Sequence, residues 1–334
     1  MKILVTGATG FIGRHLTRRL LTQCAASDIV CLVTPWRTRS EHVEICDLRA
    51  AGVHIVEGDL NETLVATERL PHVDLVFHLA ANADTSASPA ALAINDVGCA
   101  NLLRWLNGSL EGARVLYASS IAVLDRDRPS EGPLNETSPC VPRTAYGQTK
   151  LRGEEIIRSE AAGLGFQYTI LRLATVYGPG EKIDGLFDRL IKDTAQRRWL
   201  ARLNWPGRTS IVHVHDVTAI MASLARRPEA ANEVYCVANP EAPTIGALAQ
   251  DIARMVDPSP NPVRLPRWAW KIGRAFAWSR SARLAGAVLA QTTLWRLTLM
   301  VDDGFWFDTQ KLQAVWQQPP KDLVEALTEI LKYL

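Results

Sequence analysis

Near its start the chain reads Lys2-Ile3-Leu4-Val5-Thr6-Gly7-Ala8-Thr9-Gly10-Phe11-Ile12-Gly13, a short apolar run followed by three spaced glycines. The run predicts a β-strand, and Phe11–Thr22 has the apolar spacing of a helix. Gly7 permits a tight turn, Gly10 lets the backbone approach a pyrophosphate, and Gly13 lets the helix pack closely on the strand. The helix N-terminus adds free N–H groups and a favourable dipole. We therefore predict a dinucleotide-binding turn made of Gly7, Thr9, Gly10, Phe11, Ile12 and Gly13.

Further short β-strand candidates follow along the chain, and helical or polar segments come after most of them. The candidates are Ile29–Val33, Val53–Glu57, Leu75–His78, Val115–Tyr117 and Tyr168–Leu171. Continuous apolar strands separated by helices indicate a parallel sheet that is covered on both faces. The predicted fold class is α/β, with a doubly wound parallel Rossmann sheet and a smaller, mostly helical C-terminal lobe that binds substrate.

The length of 334 residues exceeds what one compact core usually holds. We predict a dinucleotide-binding domain over residues 1–177, completed by returning segments at about 208–238. Within these, Ser210–Val214 and Val234–Val237 are expected to rejoin the main sheet. The substrate-binding lobe would comprise residues 178–207 and 239–334.

Composition and charge exclude several classes of protein. The formal net charge is only +2, so global charge gives no reason to expect a nucleic-acid partner. The six cysteines form no C-x-x-C pair, which favours reduced thiols in the cytoplasm. No signal peptide is recognisable. Leu284–Val301 is the most apolar stretch, but it contains Arg296, which favours a buried helix over a membrane span.

The residues after the second strand bear on the choice of dinucleotide. An NAD site usually has Asp or Glu there, against the ribose 2′-hydroxyl. This chain instead reads Val33-Thr34-Pro35-Trp36-Arg37-Thr38-Arg39, with no acid and two arginines. Arg37 or Arg39 would attract a 2′-phosphate, which predicts NADP, with NAD as the alternative. Both arginines can also simply be solvated.

Tyr146 and Lys150 stand four residues apart at the start of a predicted helix and therefore share a face. A free phenol has a pKa near ~10, and a neighbouring ammonium is expected to lower it. Tyr146 can then take or give a hydroxyl proton while a hydride moves. Lys150 can also hydrogen-bond the nicotinamide ribose.

Ser120 ends the run Tyr117-Ala118-Ser119-Ser120, which lies at the carboxyl end of a central strand. Ligands of open α/β sheets bind outside such ends. We expect Ser120 to donate a hydrogen bond to the substrate oxygen and to stabilise developing negative charge there. Ser119 is the alternative.

Taken together, these residues resemble the extended short-chain dehydrogenase/reductase family, also called the NAD-dependent epimerase/dehydratase family. The resemblance extends to Gly58-Asp59-Leu60, His78-Leu79-Ala80-Ala81, Asn95, Leu171-Arg172, Val176-Tyr177-Gly178-Pro179-Gly180 and Val212-His213-Val214-His215-Asp216. It implies that Asp59 and Leu60 border the adenine and that Ala80 and Ala81 line the middle of the cofactor.

The resemblance also implies that Asn95 braces the active-site end of its helix. His213 and His215 recur at every second position, as a metal pair can, but the family motif makes this segment a returning strand. No metal is therefore expected. A homodimer is expected, because helical-bundle dimers are common in families of this kind.

Departures from the family pattern narrow the chemistry. Dehydratases carry an Asp-Glu pair where this chain has Ile121 and Ala122, and many nucleotide-sugar enzymes carry Asn where it has Thr175. These departures favour an NAD(P)-dependent oxidoreductase that transfers a hydride between nicotinamide and a secondary alcohol or ketone through Ser120, Tyr146 and Lys150. The alternative is a nucleotide-sugar epimerase or reductase with the same triad. A third hypothesis is a cofactor-sensing regulatory protein without turnover.

The segment Pro258–Val301 has seven basic residues, no acidic residue and four tryptophans. Trp268, Ile272 and Phe276 share one helical face, beside a basic face formed by Arg267, Lys271 and Arg274. Helices that pack the second lobe over the cleft are the favoured interpretation. A hydrophobic substrate pocket and attachment to an anionic membrane surface are the alternatives.

Overall fold

The main sheet has seven parallel strands, and its order places the glycine turn at the point where the topology reverses. The computed structural model describes residues 1–35, 39–63, 65–66, 68–85, 87–124, 132–180, 186–196, 198–256, 262–277, 300–301 and 306–332. The strands are β1 (Ile3–Thr6), β2 (Ile29–Val33), β3 (His54–Glu57), β4 (Leu75–His78), β5 (Arg114–Ser120), β6 (Gln167–Leu173), β7 (Thr175–Tyr177), β8 (Ile211–His213) and β9 (Glu233–Val237). The order in the sheet is β3-β2-β1-β4-β5-β6-β9, so the crevice where ligands of such folds bind lies between β1 and β4.

Helices connect the strands and cover the sheet. They are α1 (Phe11–Leu21), α2 (Arg39–Ala50), α3 (Pro89–Leu92), α4 (Val97–Trp105), α5 (Ala145–Leu164), α6 (Leu186–Ala195), α7 (Val214–Leu224), α8 (Ile245–Val256), α9 (Arg267–Ala277), α10 (Gln310–Val315) and α11 (Leu323–Leu331). None of the helices described is long and apolar enough to cross a membrane.

Both faces of the sheet are buried, because successive side chains of each strand enter different cores. On one face Ile3 and Val5 pack with Leu16 and Leu20 of α1 and with α7. On the other face Leu4 packs with helices α4 and α5. The continuous apolar strands of the sequence therefore have the environment they predict, and the predicted α/β fold with a doubly wound parallel sheet is confirmed.

The two late strands separate, which corrects one expectation. Val234–Val237 belongs to β9, which joins β6 in the main sheet. Ser210–Val214 does not rejoin the main sheet: its strand, β8, pairs with β7 in a separate two-stranded sheet. The reason is that β9 already occupies the free edge of β6, and the Ala174 N–H donates to the Val237 carbonyl as the chain leaves that edge.

A smaller helical core lies beyond this second sheet. It contains apolar residues of α6, α8 and α11, among them Phe187, Leu248 and Leu327, packed with Tyr177 at the end of β7. The predicted buried helix at Leu284–Val301 falls almost entirely outside the described residues.

Candidate active site

The turn after β1 has the geometry that its three glycines predict. Gly7 adopts φ +70°, and a Cβ there would lie 2.7 Å from the Ala80 nitrogen at the end of β4. A Cβ on Gly13 would overlap the Gly7 carbonyl, so α1 packs directly on the turn. The nearest atom to a Cβ on Gly10 is the Gly7 carbonyl oxygen, at 3.2 Å. Side chains at Gly7 or Gly13 would therefore disrupt the turn itself.

Helix α1 presents its N-terminus toward this turn. Its first intrahelical bond runs from the Arg14 N–H to the Gly10 carbonyl, at 3.0 Å. The N–H groups of Phe11, Ile12 and Gly13 precede that bond, and in a helix such groups have no intrahelical acceptor. They are suited to bind a phosphate, and the three residues line a cavity of about 660 Å³.

The same cavity reaches the proposed catalytic residues. Ser120, Tyr146 and Lys150 line it together with the glycine turn. These side chains come from the end of β5 and from the first turns of α5, which is capped by the Thr144 hydroxyl accepting from the Gly147 N–H. Side chains that are far apart in the sequence thus converge on one cleft at the carboxyl edge of the sheet.

A second cavity, of about 210 Å³, shares Gly7, Thr9 and Gly10 with the first. Leu60, which the resemblance puts at the adenine, lines it together with Ala80 and Ala81, which the resemblance puts at the middle of the cofactor. The structure places Asp59 differently: its carboxylate accepts from the Asn61 N–H and from the Asn61 amide, each at 2.9 Å, and it does not line this cavity. Asp59 therefore shapes the turn next to the adenine side.

The region that selects the dinucleotide is only partly described. Arg37 lies outside the described residues, as does the side chain of Arg39. Thr34, the residue directly after β2, lines the smaller cavity. Many NAD sites have Asp or Glu at this place in the chain. The larger cavity is also lined by Glu41 from the first turn of α2, an acid that no sequence motif had singled out. A carboxylate there disfavours a second phosphate nearby.

The two serines at the end of β5 have different partners. The Ser119 hydroxyl donates to Glu154 Oε1 at 2.6 Å and is buried beneath the cleft. Ser120 accepts from the Ala122 N–H at 3.2 Å, and its hydroxyl lowers the pKa of the Tyr146 phenol. Both serines line the larger cavity, but the Ser119 hydroxyl donates its proton to Glu154, which leaves Ser120 as the better candidate donor to a ligand.

Tyr146 and Lys150 do not form the electrostatic pair that their spacing predicts. Burial raises the pKa of Tyr146, and only the Ser120 hydrogen bond opposes that rise. The Lys150 Nζ instead lies 4.2 Å from the centre of the Tyr117 ring, and burial lowers the pKa of Lys150 to about 8. The expected lowering of the Tyr146 pKa is therefore absent, because desolvation acts on both groups.

A buried ion pair supports the floor of the cleft. Glu154 follows Tyr146 and Lys150 at the same four-residue spacing, and its carboxylate accepts from Arg172 at 3.0 and 2.9 Å. Burial alone would raise the pKa of Glu154, but Arg172 and Ser119 hold that pKa below its ordinary value. The four-residue spacing and the Leu171-Arg172 motif are both visible in the sequence, but neither of them predicts that Glu154 and Arg172 form an ion pair.

Asn95 connects the loop after β4 to α5. Its amide donates to the Thr149 hydroxyl and to the Asn82 carbonyl, both at 3.0 Å, and its side-chain oxygen accepts from the Asn82 N–H at 2.9 Å. Asn82 and Ala83 line the larger cavity. Asn95 therefore holds both the cavity-lining loop and the helix that carries Tyr146.

His213 and His215 do not lie on one strand. His213 ends β8 and caps α7, because its Nδ1 accepts from the His215 N–H at 3.3 Å. Ligand atoms of the two histidines and Glu329 lie within 4.8 Å of one another. Lys321 already pairs with Glu329 at 2.6 Å, and an ammonium beside a ligand set opposes cation binding.

Comparison with known proteins gives a family match over most of the chain. The model of the NAD dependent epimerase/dehydratase family matches residues 3–238. The chain is 25% identical to UDP-glucose 4-epimerase of Vibrio cholerae, over 97% of this chain and 96% of that protein. It is 32% identical to the uncharacterized UDP-glucose epimerase YtcB of Bacillus subtilis (strain 168), over 59% of this chain and 64% of the relative.

Solved structures share the fold. UDP-glucuronic acid 4-epimerase from Bacillus cereus, in complex with UDP-glucuronic acid and NAD, superposes with a TM-score of 0.73 at 22% identity, over 100% of this chain and 98% of that one. The terminal R domain from the myxalamid PKS-NRPS biosynthetic pathway gives a TM-score of 0.74 at 20% identity, over 100% and 90%. At these identities the likeness establishes the architecture.

Proposed function

The chain belongs to the NAD dependent epimerase/dehydratase family, and from this membership we propose that it is an enzyme that moves a hydride to or from a carbon bearing a hydroxyl or ketone. The observation that carries the proposal is the single cavity of about 660 Å³ lined by both the glycine turn and Ser120, Tyr146 and Lys150. A dinucleotide held by the turn would supply or accept the hydride, and the three side chains would bind the substrate oxygen and transfer its proton.

Tyr146 is the proton donor and acceptor. Its raised pKa keeps the phenol protonated at neutral pH, which suits donation to an alkoxide that develops as a ketone is reduced. Ser120 lines the same cavity as Tyr146 and binds the same substrate oxygen. In the oxidation direction the Ser120 hydrogen bond to Tyr146 stabilises the phenolate.

Lys150 holds positive charge beneath the reacting oxygen. Its ammonium is almost wholly buried and its pKa of about 8 leaves it largely protonated at neutral pH. It lies against the Tyr117 ring, and the Tyr117 hydroxyl donates to the Asn95 carbonyl at 3.2 Å. The charge is thereby fixed in a dry environment, where it would act strongly on an alkoxide that develops on the substrate.

The substrate is a nucleotide sugar. This assignment rests on the Vibrio cholerae UDP-glucose 4-epimerase, whose similarity extends over nearly the full length of both chains. Ile121 and Ala122 cannot act as acid and base, so the reaction is epimerisation or reduction and not dehydration. In an epimerisation the hydride leaves and returns at one carbon, with no net change in the dinucleotide.

A second candidate is net oxidation or reduction of a free alcohol or ketone. Thr175 at the start of β7 favours it, since a longer amide there would suit the phosphates of a sugar nucleotide. The predicted NADP preference stays a prediction in either case, and Glu41 opposes it by placing a negative charge at the cavity.

One assay distinguishes these reactions. Purified protein is incubated with UDP-glucose and other nucleotide sugars plus NAD, and separately with a panel of ketones plus NADH or NADPH. Sugar products are resolved by chromatography, and dinucleotide turnover is followed by absorbance. Epimer formation without net dinucleotide change supports the first candidate, and stoichiometric consumption of NADH or NADPH with a ketone supports the second.

The same assay can overturn the proposal. Tight dinucleotide binding with no turnover of any substrate class would favour a regulatory protein that retains the fold. Epimer formation that persists undiminished after Ser120→Ala and Tyr146→Phe together would remove the assigned residues from the chemistry.

A further inference from the structure

Helix α9 exposes three large apolar side chains on one face. Trp268, Ile272 and Phe276 are 65%, 62% and 61% exposed, and they recur every four residues. Large apolar side chains at helical spacing normally mark the face that packs on a core. Here that face points into solvent.

The inner face of α9 is a different set of residues. Trp270 packs on Trp205 with ring centroids 4.9 Å apart, and a Cβ on Gly273 would be in contact with Val301 at 3.8 Å. These contacts join α9 to the cluster that contains Leu203. Because the helix is already attached through Trp270, its outward apolar face is not needed to hold it on the protein.

The apolar surface continues into the segment before α9 and the turn next to it. Val263 and Leu265 are each more than a third exposed, and the Val263 N–H donates to the Arg202 carbonyl at 2.8 Å. Trp199, in the 3-10 turn that ends at Arg202, is 65% exposed. Single exposed apolar residues are ordinary, but a grouped set of this kind marks a contact surface.

The charges beside the apolar residues indicate what kind of partner covers this surface. Arg264, Arg267 and Lys271 are exposed beside the apolar residues, and the sequence from Pro258 to Val301 contains no acidic residue. A second copy that met this face symmetrically would place like charges against each other. An anionic bilayer offers both an apolar layer for Trp268, Ile272 and Phe276 and negative headgroups for the flanking cations.

We propose that α9 and the segment from Val263 to Arg267 form a docking surface for the headgroup region of an anionic membrane. The helix lies parallel to the bilayer, with its outer face among the acyl-chain boundaries and its cations among the headgroups. The contact is peripheral. This inference goes beyond the proposed reaction and does not depend on it.

The test is flotation of the full chain with lipid vesicles. Vesicles of phosphatidylcholine alone are compared with vesicles that also contain phosphatidylglycerol, at low and high salt. We expect flotation with the anionic vesicles, weakened by salt. The variant Trp268→Ser with Ile272→Ser and Phe276→Ser should reduce the bound fraction at least about tenfold. Lys271→Gln with Arg267→Gln should reduce it less and flatten its salt dependence.

A matched control removes exposed apolar side chains elsewhere. Val43→Ser with Val324→Ser changes residues that are 51% and 57% exposed on α2 and α11, and it should float as the unaltered protein does. Circular dichroism and dinucleotide binding show that each variant is folded.

Four results would overturn the proposal, and the first three concern vesicles and oligomeric state. One is the absence of flotation with anionic vesicles, and another is flotation of the triple serine variant equal to that of the unaltered protein. The third is a dimer, detected by light scattering, that becomes a monomer in the triple serine variant while neither protein binds vesicles. Binding to single-stranded oligonucleotides without binding to vesicles would assign the surface to another partner and also overturn it.

Discussion

The side chains beneath the cleft and those on the outer face of α9 are held in opposite ways. Under the cleft, Glu154 accepts from Ser119 and from Arg172 and is fully buried. On α9, Ile272 and Phe276 are more than 60% exposed. The comparison teaches that the side chains beneath the cleft are fixed by a buried polar network, whereas the exposed face of α9 can be covered by something outside the chain.

The largest expected effect tests the buried side of this comparison. Glu154→Gln keeps the shape of the side chain but leaves the Arg172 guanidinium, only 2% exposed, without its counter-ion. We expect a loss of about 3–5 kcal/mol in the free energy of unfolding. Urea denaturation followed by circular dichroism measures it.

Arg158→Gln is the control for this prediction. Arg158 pairs with the same carboxylate at 2.9 Å, but its side chain is a third exposed, so its removal should cost at most about 1 kcal/mol. The triple serine variant of α9 should change stability by no more than about 0.5 kcal/mol. Equal losses for Glu154→Gln and the α9 variant would show that the two regions are not held differently.

The next effect concerns chemistry instead of folding. Tyr146→Phe removes the phenol that we propose gives or takes the proton, and we expect turnover to fall about 100-fold or more, equivalent to about 2.7 kcal/mol in the barrier. Dinucleotide binding should persist, as should flotation with anionic vesicles. Steady-state kinetics and fluorescence titration with the dinucleotide measure the two readouts.

Ser119→Ala is the control that tests whether the correct serine has been assigned. Ser119 faces Glu154 and is buried, so its loss should lower stability while leaving most of the turnover per folded molecule. A variant at Ser119 as inactive as Tyr146→Phe, with normal stability, would mean that the wrong serine has been assigned.

The same contrast explains what the sequence could predict. The glycine turn and the strands are set by local patterns whose geometry has few alternatives. The approach of Tyr146 to Ser120 follows from the sheet, because ligands of such sheets bind at the carboxyl ends of the strands, and the structure brings both residues to one cavity. Spacing placed Tyr146 and Lys150 on one face, but it could not show that burial would raise the pKa of the phenol. That shift depends on residues packed around the site from distant parts of the chain.

Two other features, the neighbour of β8 and the direction of the apolar face of α9, could not be predicted from the sequence for related reasons. The β run Ser210–Val214 predicts a strand but not its neighbour, and the neighbour is decided by β9, which occupies the edge of β6. Helical spacing in α9 found the apolar face but not its direction, because Trp270 provides a second apolar contact on the other side. A hydrophobic pattern identifies a surface that can be buried, and tertiary contacts decide which surface is buried.

The smallest expected effect lies at the edge of the cleft, where Glu41 lines the cavity beside the glycine turn. Glu41→Gln removes one negative charge from the lining of the larger cavity, which shares Gly7, Thr9 and Gly10 with the smaller cavity beside Thr34. We expect kcat/KM with NADPH, relative to that with NADH, to rise a few-fold, the scale of about 1 kcal/mol for a solvent-accessible charge pair. The ratio should rise most at low salt, because screening weakens such repulsion.

Glu62→Gln makes the same change in net charge at an exposed position that does not line the cavity, so it separates a local effect from a global one. If both variants shift the ratio equally, net charge is responsible and Glu41 has no specific part in cofactor choice. If the unaltered protein already prefers NADPH and Glu41→Gln leaves the ratio unchanged, the arginines after β2 outweigh the carboxylate. The NADP preference indicated by the sequence then holds although an acid lines the cavity. In that case attraction to the arginines after β2 selects the dinucleotide, and repulsion from Glu41 does not.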